Sequence, residues 1–139
     1  MKILLIAFSI SALASTAADK SKTWTDPALA LKEDTDFSIQ GEYHREGAGL
    51  GAQIVALGDG KFDLYILEGG LPGLGWKKKD SRIKISGNLE KGIVTFTKSK
   101  ETSALLKDKT LTIQQVGKTT IKLPRVARQS PTLGAEAPK

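Results

Sequence analysis

The sequence contains no cysteine, and this absence excludes a whole group of functions. Without a thiolate the chain has no cysteine nucleophile, no redox pair and no cysteine-bound zinc. It also has no cysteine on which a lipoprotein anchor could be built. Disulfides cannot stabilise the fold, but a chain of 139 residues can bury a single core without them.

Histidine is almost absent as well, since His44 is the one histidine in the chain. A Ser/His/Asp triad would have to use it, and no serine stands in a Gly-x-Ser-x-Gly pattern. On the first predicted strand His44 shares a face with Glu42 and Glu46. One imidazole between two carboxylates would suit a small glycan-acting or metal-assisted hydrolase, which is the alternative function. A solvated strand face is the simpler interpretation, because metal ligands usually come from more than one element, so we predict no metal and no cofactor.

Long hydrophobic runs are missing except at the start of the chain. Lys2 precedes a short apolar run from residue 3 to residue 10, and small residues follow up to Ala17 and Ala18. These are the three parts of a secretory signal peptide, which we place at residues 1–18. The run is shorter than the roughly 20 residues that span a bilayer, so it predicts no stable membrane anchor. We expect an exported protein, either periplasmic or extracellular.

Residues 19–35 carry the helix signals of the chain. Thr25 and Asp26 are candidate N-caps, Pro27 suits the first helical position, and a short apolar run follows. We predict a short helical or docking segment there.

From residue 36 the hydrophobic period changes to two, as in Phe62, Leu64 and Ile66. This alternation is typical of antiparallel strands with one buried face. The turn residues divide residues 36–129 into about eight strands. The predicted strands are 37–46, 51–57, 61–68, 82–87, 92–98, 103–106, 110–116 and 119–127. So many short strands predict an all-β domain, either a small barrel or a two-sheet sandwich.

The segment Glu68 to Trp76 places four glycines and a proline among three large apolar residues. These residues are Leu71, Leu74 and Trp76, which we take as the candidate binding residues. Exposed together they would form an apolar patch that soluble monomers normally avoid unless it binds something. Two interpretations stay open: the segment either plugs the core or forms a contact surface for a glycan or a protein partner.

The formal net charge is +6, and three positive charges stand together at Lys77, Lys78 and Lys79. A lysine triplet beside Asp80 is usually a solvated turn, and it lacks the interleaved aromatics and arginines of nucleic-acid sites. We therefore expect no nucleic-acid partner. A weak, salt-sensitive attraction to acidic polysaccharide or anionic membrane stays possible. The sequence does not predict the oligomeric state.

Three stretches resemble a known family: DFSIQGEY at residues 36–43, GAQIVALGDGKF at 51–62 with GGLPGLGW at 69–76, and SPTLG at 130–134. They are similar to the N-terminal β domain that precedes the catalytic domain in exported bacterial proteins of the 3-keto-disaccharide hydrolase family. In that family the counterpart of SPTLG leads through a linker into the hydrolase domain, so residues 130–139 are interpreted as a linker-like tail. The resemblance implies a non-catalytic accessory module of a carbohydrate-acting system, with no catalytic residue to transfer.

Overall fold

The structure is a computed structural model that describes residues 25–127. The predicted signal peptide and the predicted tail at residues 130–139 lie outside the described residues. Within them the protein is all-β with two short helices at its start, which confirms the predicted fold class.

Two helices precede the first strand. Helix α1 spans Pro27–Glu33, and Asp26 caps it by accepting a hydrogen bond from the Ala28 amide at 2.8 Å. Asp26 and Pro27 therefore hold the cap and first-turn positions that the sequence indicates. Helix α2 spans Thr35–Ile39, where the alternation predicts a strand from residue 37, so that prediction is wrong at its start. The physical reason is Asp34, whose Oδ1 accepts from the Asp36 and Phe37 amides and starts a second helical turn.

Ten strands follow within the described residues. They are β1 (Gly41–His44), β2 (Leu50–Gly58), β3 (Lys61–Glu68), β4 (Leu71–Pro72), β5 (Gly75–Trp76), β6 (Arg82–Glu90), β7 (Ile93–Thr97), β8 (Thr102–Lys107), β9 (Thr110–Gln115) and β10 (Ile121–Val126). The eight long strands match the predicted ones in number and order. Strands β4 and β5 are two-residue pieces inside the glycine-rich segment and were not predicted.

The eight long strands form a closed antiparallel barrel in the order β1, β10, β9, β8, β7, β6, β3, β2. Closure resolves the choice between barrel and sandwich. The seam is short, because β1 pairs with β10 through Glu42 opposite Val126 and Tyr43 opposite Arg125. On its other side β1 pairs with β2 over four residues. Strand β1 thus joins the first and last parts of the sheet.

The barrel interior holds the core. Inward positions alternate along each strand, and the buried cluster includes Tyr43, Phe62, Phe96, Leu111 and Leu123. Gly87 occupies an inward position of β6 directly opposite Phe96. A Cβ on Gly87 would stand 2.4 Å from Phe96 Cδ1, so the ring fills the space that a side chain there would need. Gly87, which ends the predicted strand 82–87, is therefore a packing residue inside a longer strand.

Helix α2 covers one end of the barrel, which we name the helix end. Three of its residues line a small cavity there together with the β6–β7 and β8–β9 turns. The Tyr43 hydroxyl donates a hydrogen bond to the Ile39 carbonyl at 2.5 Å, and the Gly60 amide donates to Asp36 Oδ2 at 3.1 Å. The opposite end, which carries the glycine-rich segment, is named the loop end. No helix in residues 25–127 is long and apolar enough to cross a membrane.

We predict that Gly87→Ala destabilises the protein by about 1 to 3 kcal/mol, because the new Cβ forces Phe96 out of its position. The free energy of unfolding from urea titrations measures the loss. Asn88→Ala, on the outer face of the same strand, is the matched control and should change it by less than about 0.5 kcal/mol. Combining Gly87→Ala with Phe96→Leu should cost less than the two single losses added together. Full additivity would contradict the packing assignment.

A second prediction concerns Tyr43, whose pKa is raised to about 12 by burial, an effect that the nearby positive charge of Arg125 partly opposes. The unfolded phenol ionises near its ordinary value of 10.0, so Tyr43 stabilises the fold fully below that pH and progressively less as pH rises towards 12. Tyr43→Phe should cost about 1 kcal/mol at pH 7 through the lost hydrogen bond and should lessen the loss of stability between pH 10 and 11. Urea midpoints at pH 7 and 10.5 test both effects. Tyr65→Phe is the control, and an equal change there would contradict the prediction.

Candidate functional site

The glycine-rich segment forms a loop, residues 69–76, that connects β3 to the turn before β6. We name it the glycine loop. Its base is fixed by the Glu68 amide, which donates to the Ser81 carbonyl at 3.0 Å and continues the β3–β6 ladder. The Gly69 amide donates to the Gly49 carbonyl at 2.9 Å, which ties the loop to the β1–β2 turn. The loop is thus held at both sides of its base.

The tip of the glycine loop is a type II turn over residues 71–74. The Leu74 amide donates to the Leu71 carbonyl at 2.7 Å, with Pro72 second and Gly73 third at φ 86°. A type II turn requires positive φ at its third position, and glycine provides it without strain. The Pro-Gly pair is a sequence signal for this type of turn. The turn determines the direction of both leucine side chains.

Leu71 anchors the glycine loop. It is fully buried, yet it is outside the main cluster inside the barrel. A Cβ on Gly51 of β2 would stand 2.7 Å from the Gly70 carbonyl carbon and 2.9 Å from the Leu71 amide nitrogen. Gly51 pairs with Leu67, which is also buried outside the main cluster. The loop therefore packs on the outer face of β2 and β3 rather than filling the barrel.

Leu74 and Trp76 differ from Leu71 in exposure. Leu74 is 40% exposed at the turn, and Trp76 is partly buried. The indole Nε1 of Trp76 is buried and has no hydrogen-bond partner among residues 25–127. The part of Trp76 that a partner can reach is therefore ring surface and not the indole N–H group. Each interpretation of the segment therefore applies to a different residue. Leu71 is packed against the protein, as a buried residue would be, and Leu74 is exposed, as a contact residue would be.

The loop end of the barrel has an apolar mouth beside the glycine loop. A cavity of about 220 Å³ there has a floor of Leu50, Ile66, Ile83 and Ile121, and its rim includes Glu68, Ser81, Gln115 and Lys118. Glu68 and Ser81 also form the base of the glycine loop. We name this cavity the mouth. Leu50, Ile83 and Ile121 are only partly buried, so apolar surface remains accessible at this end.

The face of Glu42, His44 and Glu46 does not form as predicted. Strand β1 ends at His44, so Glu46 lies beyond it in the following turn and the three residues do not share one strand. Glu42 is 6% exposed and accepts a hydrogen bond from Gln53 Nε2 at 3.1 Å. It borders a groove of about 590 Å³ between α2 and the β1–β2–β10 wall. Residues 25–127 contain no group of three acidic or histidine side chains that could hold a metal ion.

A row of charged and aromatic side chains runs along the outer faces of β3 and β6. The Arg82 guanidinium lies 4.0 Å from the centroid of the Tyr65 ring, and Lys84 Nζ lies 5.9 Å from it. Lys84 Nζ is 2.8 Å from Asp63 Oδ2, and the Ser86 hydroxyl donates to Asp63 Oδ1 at 3.0 Å. The hydrogen bond from Lys84 lowers the pKa of Asp63, and the same bond raises the pKa of Lys84.

Residues 77–80 form an exposed turn directly after the glycine loop. The Lys77 amide donates to Asp80 Oδ2 at 2.7 Å, and the Asp80 amide donates to the Lys77 carbonyl at 2.8 Å. The Asp80 carboxylate therefore caps the turn instead of pairing with a lysine. Lys77, Lys78 and Lys79 are all exposed, and none of them forms an ion pair within the described part of the chain.

The fold and this surface define the class as a small, closed, eight-stranded antiparallel barrel with a structured loop beside an apolar mouth. Comparison of the chain with protein-family models, curated proteins and solved structures finds no significant match. The resemblance described from the three sequence stretches accordingly stays a prediction.

The Lys84 pair yields a pH prediction. Because the pKa of Asp63 is lowered, its stabilisation is present above the ordinary carboxyl value of 3.8 and is lost as pH falls through the lower folded value. Lys84 has a raised pKa, so its stabilisation is present below 10.5 and is lost as pH rises through the higher folded value. Lys84→Gln should therefore reduce the free energy of unfolding at pH 7 and reduce it less at pH 2.5. Lys61→Gln, another exposed lysine change in the same sheet, is the control. An equal effect of Lys84→Gln at both pH values would contradict the assignment.

Proposed function

We propose that this protein is an exported, non-catalytic binding module of a carbohydrate-acting system, and that its contact surface is the glycine loop together with the mouth. The observation that carries the proposal is the difference in burial between two leucines of the loop. Leu71 is fully buried and anchors it, whereas Leu74 is 40% exposed at the tip of a hydrogen-bonded turn. Leu74 thereby adjoins the ring of Trp76 and the apolar mouth, and such a combination of apolar surfaces is what a contact patch needs.

The geometry of the loop supports binding without large rearrangement. Gly70 and Gly75 lie so close to the neighbouring backbone that a Cβ would stand 1.9 Å from Leu74 O and 2.4 Å from Gly69 O. Such a compact loop loses little conformational entropy when a partner binds, and preorganisation of this kind raises affinity. Leu74 and the ring of Trp76 then provide an apolar surface beside the polar rim of the mouth.

The ligand class is proposed from the chemistry of this surface and from the family resemblance. A sugar ring has an apolar face of C–H groups and an equatorial ring of hydroxyls. The apolar face suits Leu74 and Trp76, and the hydroxyls suit the Ser81 and Gln115 side chains at the rim of the mouth. All of these contacts would hold the sugar without reacting with it, as a binding module does.

The proposal is tested by screening the protein against an oligosaccharide array and titrating the strongest glycan by calorimetry. Leu74→Ser should weaken binding about fivefold, because half of a leucine side chain contributes roughly 1 kcal/mol when it is covered. Trp76→Phe should retain most of the affinity, since the indole N–H is not offered to the ligand.

Leu57→Ser is the matched control, because Leu57 is 58% exposed near the helix-end terminus of β2. It should leave the affinity unchanged. Circular dichroism confirms that each variant is folded before it is compared. Binding that is equally sensitive to both leucine changes, or no glycan binding at all, would overturn the proposal.

A further inference from the structure

We infer that the basic strip beside the glycine loop selects anionic polysaccharides, in particular chains that carry carboxylates. The strip consists of Lys77, Lys78, Lys79, Arg82 and Lys84. This inference rests on the proposed function and extends it, because it names the charge of the ligand that the same end of the barrel would take.

The strip carries more positive charge than the carboxylates beside it balance, because its five cations are flanked by three carboxylates, Asp63, Glu68 and Asp80. Lys84 pairs with Asp63, and the Asp80 carboxylate accepts from the Lys77 amide. The three turn lysines and Arg82 form no ion pair within residues 25–127. Exposed like charges at this density repel one another, and a bound polyanion relieves that repulsion.

Two side chains of the strip are held in place rather than free. The Arg82 guanidinium lies over the Tyr65 ring, with its central carbon 4.0 Å from the ring centroid, and the side chain stays exposed. An exposed guanidinium can donate two parallel hydrogen bonds to one carboxylate. Lys84 is fixed by Asp63 at 2.8 Å, and its side chain remains 54% exposed. The strip thus combines exposed lysines on a turn with an arginine that contacts an aromatic ring.

The shape of the strip favours an extended chain over a membrane or a nucleic acid. It begins at the turn beside the glycine loop and continues along the outer face of β6 to Lys84, so it is elongated along the strand, as a polymer chain is. Peripheral membrane binding also needs more buried apolar surface than Leu74 and the partly buried Trp76 ring supply. Arg82 lies over one face of the Tyr65 ring, so that face is not available for a base to stack on.

The test measures binding of oligogalacturonate by calorimetry from 50 to 300 mM NaCl, with its methyl-esterified form as the neutral counterpart. The wild-type protein should prefer the anionic form and lose affinity steadily as salt rises. The variant Lys77→Gln, Lys78→Gln, Lys79→Gln should bind about tenfold more weakly at 50 mM NaCl and show a flatter salt dependence, because exposed charge pairs each contribute little but act together.

The matched control removes three lysines from the turns of the helix end: Lys91→Gln, Lys107→Gln and Lys109→Gln. It lowers the net charge by the same amount and should leave both affinity and salt slope near the wild-type values. Equal losses in the two triple variants would mean that net charge alone drives binding and would overturn the inference. Arg82→Lys keeps the charge but not the fork geometry, and it should weaken binding of the anionic form alone.

Three further outcomes overturn the inference. One is tighter binding to vesicles of phosphatidylglycerol and phosphatidylethanolamine than to oligogalacturonate, and another is equal binding to single-stranded DNA. The third is binding of the neutral form with a loss in Leu74→Ser and no effect of salt, which would leave the proposed function standing. Failure of all glycans to bind would remove the proposed function as well, so the two failures are distinguishable.

Discussion

The whole structure depends on the short seam between β1 and β10. Two residue pairs close the barrel there, and without them the sheet would have two free edges and an apolar face in water. Tyr43 stands at this seam with its ring in the core and its hydroxyl on the Ile39 carbonyl. Arg125 opposite it donates to the Gln40 carbonyl from both Nε and Nη2, at 3.2 and 2.9 Å. The seam thereby connects barrel closure to the helix that covers one end.

Closure at the seam makes the two ends of the barrel different. Helix α2 covers one end, and the connection from β3 to β6 at the other end is long enough to fold into a loop with its own buried anchor. That loop packs on the outer wall at Gly51, where a side chain would prevent its approach. The exposed leucine, the mouth and the basic strip therefore lie at the loop end as a consequence of the topology. The proposed binding surface thus lies at the end of the barrel that the helix does not cover.

Most of the barrel follows from local patterns in the sequence. The alternation of Phe62, Leu64 and Ile66 places β3 at the observed residues, and Asp26 with Pro27 starts α1 as expected. The exceptions have local causes too. The residues after Asp34 alternate like a strand, but Asp34 is also a good helix cap. The helix cap prevails over the alternation, and a helical turn forms. The predicted strand 82–87 ends at Gly87, and its packing role is evident only once its partner Phe96 is known.

The candidate site was less predictable, because its features depend on contacts between distant residues. The sequence indicates Leu71, Leu74 and Trp76 as a group, but burial separates them only once the loop is packed against β2. Arg82 and Tyr65 are 17 positions apart, and the register of β3 with β6 brings them together. The proposed face of Glu42, His44 and Glu46 required β1 to continue past His44, and the turn that closes onto β2 ends it there.

The central claim is that the loop end of this barrel is a binding surface. The most direct measurement is the change in backbone amide NMR shifts when an oligogalacturonate is added to the ¹⁵N-labelled protein. The account predicts that the shifts concentrate in residues 69–84 and at the rim of the mouth, while the turns of the helix end stay unchanged. Shifts concentrated at the helix end, or spread evenly over the barrel, would contradict it.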